Sequence, residues 1–181
     1  FTWASNTIRL MVLSANGATC RSIEFDNAAN TLSLALGITG ANCVFDNCVV
    51  TCNTATGGIN VAGSKNVIRG CYVKAGATNS QGVTLVGTGG HTVEFTHVRA
   101  LAAGVNDNSG IATDGMNVIR NNIIQKFTNG VECGSGTLSG LVVENNIIHR
   151  NTNGLNDDNA AQGVAILLST RSNIFSRNTN A

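Results

Sequence analysis

Short runs of alternating apolar and polar residues recur along the chain, each broken by a small polar bend. Val44-Phe45-Asp46-Asn47-Cys48-Val49-Val50, Val67-Ile68-Arg69-Gly70-Cys71-Tyr72-Val73 and Thr92-Val93-Glu94-Phe95-Thr96-His97-Val98 align residue for residue. Val118 to Ile124, Val142 to Ile148 and Ser169 to Phe175 continue the series. With the fifth residue as anchor, the repeats fall at 48, 71, 96, 122, 146 and 173, at intervals of 23–27 residues. Each unit predicts two short strands around a bend, because the runs are too short for helices. A third strand is announced by glycine and an aliphatic residue at Gly58-Ile59, Gly82-Val83, Gly130-Val131 and Gly154-Leu155. In the third unit Gly104-Val105 and Gly110-Ile111 both fit. Such strands bury an apolar face only by stacking on neighbouring coils. The prediction is an all-β solenoid, a parallel β-helix of about seven coils with three short strands per coil.

The whole chain, 1–181, forms one domain on this reading, with regular coils over 42–181 and less regular first coils over 1–41. Phe25-Asp26-Asn27 echoes Phe45-Asp46-Asn47, and Thr7-Ile8-Arg9 echoes Val67-Ile68-Arg69. The 17 residues from Arg9 to Asp26 are too few for a coil, so the register there stays open.

Stacking about 4.8 Å apart turns equivalent positions into columns. Phe45, Ile68, Val93, Ile119, Val143 and Thr170 form a core column before the bend; Val50, Val73, Val98, Ile124, Ile148 and Phe175 form one after it. Val61, Leu85 and Cys133 share an inward position on the third strand, where Cys133 reads as an inert thiol. The bend column runs Cys48, Cys71, Thr96, Asn122, Asn146, Asn173. Asparagine tolerates left-handed backbone and bonds to its own copy, so Asn122, Asn146 and Asn173 predict a structural ladder. Cys48 and Cys71 become neighbours and a candidate disulfide, with buried free thiols as the alternative. Two positions before the anchor, Asp46, Arg69, Glu94, Arg120, Glu144 and Arg171 alternate in sign at every step. That alternation reads as a register-setting device, since a slip would oppose like charges. Val49, Tyr72, His97, Ile123, Ile147 and Ile174 face outward, which calls for a covering loop or a partner chain.

Composition narrows the class. Hydrophobic residues make up 43% and charged residues only 12%, with 21 glycines and no proline. A net charge of +1 gives no field for nucleic acid, and no apolar run is long enough to span a bilayer. The six cysteines lack zinc spacing; four lie between Cys43 and Cys71, which hints at an oxidising compartment. The repeat V-I-x-N-N-x-I, a variable loop and G-I-x-V resembles the right-handed parallel β-helix repeats of the pectate-lyase-like superfamily over residues 42–181. The resemblance implies right-handed architecture and an asparagine ladder. It implies no single activity, because that fold carries lyases, hydrolases, tailspikes, adhesins and scaffolds.

Candidate chemistry is sparse. β-Helix lyases pair carboxylates or calcium with a basic residue. Lys74 and Arg99 stack in one column with Thr51, Gln125, His149 and Ser176, without a carboxylate column beside them. Asp107 and Asp114 share a separate loop; these four residues are weak catalytic candidates. Asn156-Asp157-Asp158 reads as a turn, since the rest of the polygalacturonase-like pattern is missing. His91, His97 and His149 lack metal spacing and read as surface residues. Trp3 and Tyr72 make no sugar-stacking platform. Gly87-Thr88-Gly89-Gly90 is no P-loop. No cofactor or metal centre is expected, although aspartate-rich loops leave calcium open. Neither end shows a capping helix. These features favour a non-enzymatic extracellular or cell- or virion-surface β-helix that assembles with copies of itself, end to end, into a filament, sheath or fibre. The alternative is a carbohydrate-active β-helix, a polysaccharide lyase, hydrolase or phage depolymerase, or a glycan-binding adhesin without catalysis.

Overall fold

The structure, a computed structural model, describes residues 11–27, 36–52, 57–76, 81–86, 89–101, 109–134, 140–157 and 169–179. These form a parallel β-solenoid of three seven-stranded sheets. Sheet A holds Met11–Leu13, Leu36–Ile38, Ile59–Val61, Val83–Leu85, Ser109–Thr113, Asn129–Cys133 and Asn153–Asp157. Sheet B holds Thr19–Arg21, Val44–Asp46, Val67–Arg69, Thr92–Glu94, Val118–Arg120, Val142–Glu144 and Ser169–Arg171. Sheet C holds Glu24–Asn27, Val49–Cys52, Tyr72–Ala75, His97–Ala100, Ile123–Gln125, Ile147–His149 and Ile174–Ser176. Every strand pairs in parallel with its equivalent one coil away, as Arg120 does with Glu144. No helix occurs among the described residues.

The alternation of side chains follows from the two-residue period of a strand. Phe45, Ile68, Val93, Ile119 and Val143 are buried on sheet B, and Val50, Val73, Val98, Ile124 and Ile148 on sheet C. Phe175 belongs to the same inward column but is 38% exposed in the last described strand of sheet C. Glycine opens the sheet A strands for lack of room. A Cβ at Gly110 would lie 2.3 Å from Ile124 Cγ2 and 2.6 Å from the Gly130 carbonyl oxygen. Gly82, Gly130 and Gly154 are equally crowded by Val98, Ile148 and Phe175. The third unit uses Gly110-Ile111 for this purpose; Gly104-Val105 lies outside the described residues.

The early residues join the same sheets, with Cys20 beneath Phe45 and Arg21 beneath Asp46. Phe25 lies beneath Val50 on sheet C, not in the Phe45 column of sheet B. The echo between Phe25-Asp26-Asn27 and Phe45-Asp46-Asn47 therefore misleads, because any in-facing aromatic followed by an out-facing acid fits either sheet.

The bend between sheets B and C differs from expectation by one residue. The left-handed position precedes the ladder: Asn47, Gly70, Phe95, Asn121, Asn145 and Ser172 have φ between 51° and 61°. The next side chain then turns inward. Asn122 N–H and Nδ2–H donate to Asn146 Oδ1 at 2.9 and 3.0 Å, and Asn146 repeats this toward Asn173. Thr96 N–H joins the row by donating to Asn122 Oδ1, and Cys71 N–H by donating to Thr96 Oγ1. The other corners carry rows of their own. Phe127 and Asn151 N–H donate to Asn151 and Asn178 Oδ1 between sheets C and A. Cys43 and His91 N–H donate to Asn66 and Asn117 Oδ1 between sheets A and B.

The candidate bridge Cys48–Cys71 is not formed; both residues are thiols, and all six cysteines are buried. Stacked neighbours point their Cβ atoms in parallel, so each sulfur turns to a carbonyl of its own bend. Cys48 Sγ donates to Asp46 O at 3.3 Å and Cys71 Sγ to Arg69 O at 3.2 Å. The sulfur of Cys20 lies 4.0 Å from that of Cys48. Burial, with Cys48 adding to it, pushes the Cys20 thiol up to about 12, and burial pushes Cys71 up to about 11. Both are protonated and unreactive at neutral pH.

Candidate functional site

The outward face of sheet C carries two rows of side chains whose chemistry differs from the rest of the described surface. Its first outward row contains Tyr72, His97, Ile123, Ile147 and Ile174 in register. Tyr72 and His97 stack with ring centroids 4.8 Å apart and planes 29° apart. The ring partner of Tyr72 is thus a histidine one coil away; Trp3 lies outside the described residues. Ile123, Ile147 and Ile174 extend the row and are 38%, 39% and 58% exposed.

The second outward row is polar and basic. Lys74 pairs in register with Arg99, Arg99 with Gln125, and Gln125 with His149. Lys74 Nζ lies 5.2 Å from the centre of the Tyr72 ring, within cation–π range. Arg99 Nε is buried and makes no hydrogen bond. The Gln125 amide nitrogen lies 2.6 Å from His97 Nε2, which places the acceptor lone pair there. Beyond this row Lys126, Arg150 and Arg177 take the same corner position in consecutive coils, each with left-handed backbone, at φ 69°, 58° and 53°. Each directly precedes the row of Phe127, Asn151 and Asn178, which fixes their stacking. The sheet C strands carry carboxylates only at Glu24 and Asp26, in the first described coil.

The histidines report this field. Burial, then Arg99 and His149, holds His97 below the ordinary imidazole value. Burial, then Arg150 and Arg177, does the same for His149. Both rings are half-buried on the outward face, whereas His91 is fully buried and is not the surface residue expected.

Sheet A has the opposite character. A depression of about 250 Å³ is lined by Gln81, Thr84, Ala112, Asp114, Glu132 and Gly134, among others. Ser109 Oγ and Asn129 Nδ2 donate to Glu132 Oε2, so this carboxylate is held by hydroxyl and amide. Asp114 sits against Gly134, where an added Cβ would lie 2.0 Å from its Oδ1.

The structure therefore separates the weak catalytic candidates. Lys74 and Arg99 are neighbours on sheet C. Asp114 follows the Ser109–Thr113 strand of sheet A, and Asp107 lies outside the described residues. Asn156 and Asp157 end a strand and do not form a turn; Asp158 lies outside the described residues. Among the described residues no three His, Cys, Asp or Glu side chains gather in a metal-holding group.

The alternating column stands on sheet B. Arg21 extends it by one step beneath Asp46. Asp46 bridges Arg21 at 2.8 Å and Arg69 at 3.2 Å, and Arg120 bridges Glu94 at 2.8 Å. Arg69, through its hydrogen bond, holds the Asp46 carboxyl below the usual carboxylate range. Glu144 stands in register between Arg120 and Arg171.

The net charge of +1 hides this division into a balanced sheet B, an acidic depression on sheet A and a basic sheet C. No protein family matches the chain, and neither does any curated protein or solved structure.

Proposed function

We propose that this chain is a surface β-helix, akin to the pectate-lyase-like scaffolds, that holds an acidic polysaccharide along sheet C without cleaving it. One observation carries the reading. Like charges are stacked coil upon coil at Lys74–Arg99 and at Lys126–Arg150–Arg177, directly beside a row of half-buried aromatic and exposed aliphatic side chains. Stacked like charges oppose folding, so an external polyanion is the natural counterpart. The apolar row suits the C–H faces of sugar rings, and the basic rows suit carboxylates, with guanidinium groups able to engage them in two-pronged fashion. The carboxylates of sheet A lie on another face, and among the described residues no carboxylate pairs in register with Lys74 or Arg99.

Titration with polygalacturonate, a neutral glucan and duplex DNA of equal charge tests the reading. Binding of polygalacturonate that weakens with salt, with no release of reducing or unsaturated sugar, is expected. Absence of binding at low salt discards it, preference for DNA replaces the polysaccharide, and sugar release would restore the lyase or hydrolase reading.

A second reading is a structural protein that assembles with copies of itself. The outward isoleucine row favours lateral contact, since exposed aliphatic stripes seek cover. End-to-end stacking of coils is the other form that such assembly can take. Electron microscopy of the purified chain separates these forms: bundled rods fit lateral contact, and single elongating filaments fit end-to-end growth.

A further inference from the structure

His91 occupies a corner row whose neighbouring members accept through amides. Cys43 N–H donates to Asn66 Oδ1 at 2.7 Å, Asn66 N–H to His91 Nδ1 at 3.2 Å, and His91 N–H to Asn117 Oδ1 at 2.9 Å. The imidazole thus does the work of an asparagine carbonyl, taking the main-chain N–H of the coil beneath. It is 1% exposed. The bond joins the coil that carries Tyr72 and Lys74 to the coil that carries His97 and Arg99.

An amide oxygen keeps its lone pairs throughout the working pH range, whereas Nδ1 of histidine accepts only while unprotonated. We propose that His91 is a pH-operated latch between these two coils, closed at neutral pH and opened by acid. Protonation would set Nδ1–H against Asn66 N–H and leave a buried main-chain donor without an acceptor. The surroundings offer the cation little. Beneath it, Lys65 runs its stem under Gly90 and carries the same sign. Above it stand the uncharged Met116 and Asn117, and Asp114 meets the row through its main-chain carbonyl, which Asn117 Nδ2 occupies at 3.0 Å. The carbonyls of Val86 and Gly63 favour the charged ring, but burial outweighs them and holds His91 below its ordinary value. Nε2 makes no hydrogen bond in the structure.

The sign follows from linkage. A histidine pKa depressed by folding contributes stability that is complete above the unfolded value of about 6.5 and is lost as pH falls through the folded value. Within that window one such group raises the unfolding constant by up to about tenfold per pH unit. His97 and His149 are also depressed, so a variant at His91 is needed to isolate its share.

His91→Asn restores the amide found at Asn66 and Asn117. At pH 7.5 the variant is expected to match the wild type in denaturant midpoint. From pH 7 to pH 5 the wild type should lose more stability than the variant. Asn66 amide exchange, corrected for its intrinsic rate, should accelerate in acid only in the wild type. Parallel pH profiles would overturn the latch. Should the variant fail to fold, nuclear magnetic resonance of the unaltered chain decides: a His91 ring that titrates at its ordinary value, with Asn66 exchange unmoved, overturns it equally.

Discussion

Two outward charge columns of one solenoid obey opposite rules. On sheet B, Arg21, Asp46, Arg69, Glu94, Arg120, Glu144 and Arg171 alternate at every step, and their bridges measure 2.8–3.2 Å. On the sheet C side, Lys74 stacks with Arg99, and Lys126, Arg150 and Arg177 follow one another with no carboxylate between them. The coil spacing of about 4.8 Å is common to both. Geometry therefore does not force like charges together, because sheet B shows the same spacing satisfied by alternation. Sheet B's charges serve the fold by fixing register. Those of sheet C work against the fold, which is the expected mark of a surface shaped for something outside it.

The largest expected effect concerns the row that holds both columns in place. Asn146 Oδ1 accepts from Asn122 N–H and Nδ2–H, and Asn146 Nδ2–H donates to the Ile119 carbonyl at 2.9 Å. Asn146→Ala strands buried groups on the neighbouring coil, the Asn122 N–H and the Ile119 carbonyl among them. At roughly 1–3 kcal/mol per orphaned group, the loss should be about 3 kcal/mol, read from denaturant midpoints at constant m value. A loss below about 1 kcal/mol would mean that the ladder follows the stacking and does not secure it.

Charge reversal in each column sharpens the contrast. Arg150→Glu should weaken polygalacturonate binding about tenfold or more while leaving stability unchanged or slightly raised, because it creates alternation between Lys126 and Arg177. Arg120→Glu should do the reverse: binding is nearly unchanged, and stability falls by about 0.5–1 kcal/mol as three carboxylates stack in place of the Glu94 bridge. Equal effects of the two variants on binding would remove the distinction between the faces.

Much of this was legible in the sequence. A constant interval between anchors exposes columns, and the alternating charges and Asn122, Asn146 and Asn173 fall out of it directly. The left-handed residue was displaced by one, because Asn121-Asn122 and Asn145-Asn146 offer two asparagines and only backbone geometry says which one turns the chain. The corner row of Asn66, His91 and Asn117 escaped notice because a histidine ring stands where an amide would signal the pattern. The basic face was hidden for a different reason. Net charge sums over all sides of the molecule, yet Lys126, Arg150 and Arg177 each stand four residues beyond Asn122, Asn146 and Asn173. That fixed offset is the signal that would have found them. The cysteine pairing was not legible, since vertical adjacency says nothing about where the sulfurs point.

The smallest effect tests the comparison without a ligand. Salt weakens attraction and repulsion alike between exposed charges. In the wild type the two columns respond with opposite signs, so raising sodium chloride from 50 mM to 1 M should move the melting temperature little beyond its general salt effect. Arg150→Glu turns the Lys126–Arg150–Arg177 repulsion into attraction and leaves only the Lys74–Arg99 contact repulsive on sheet C, so salt should lower its melting temperature relative to the wild type. Arg120→Glu adds repulsion to sheet B, so salt should raise it. A few tenths of a kcal/mol corresponds to about 1 °C in a domain of this size. The difference between the two variants is the decisive quantity, because general effects of salt on hydration cancel in it. Salt shifts of the same sign in both variants would show that the stacked charges do not feel their neighbours one coil away.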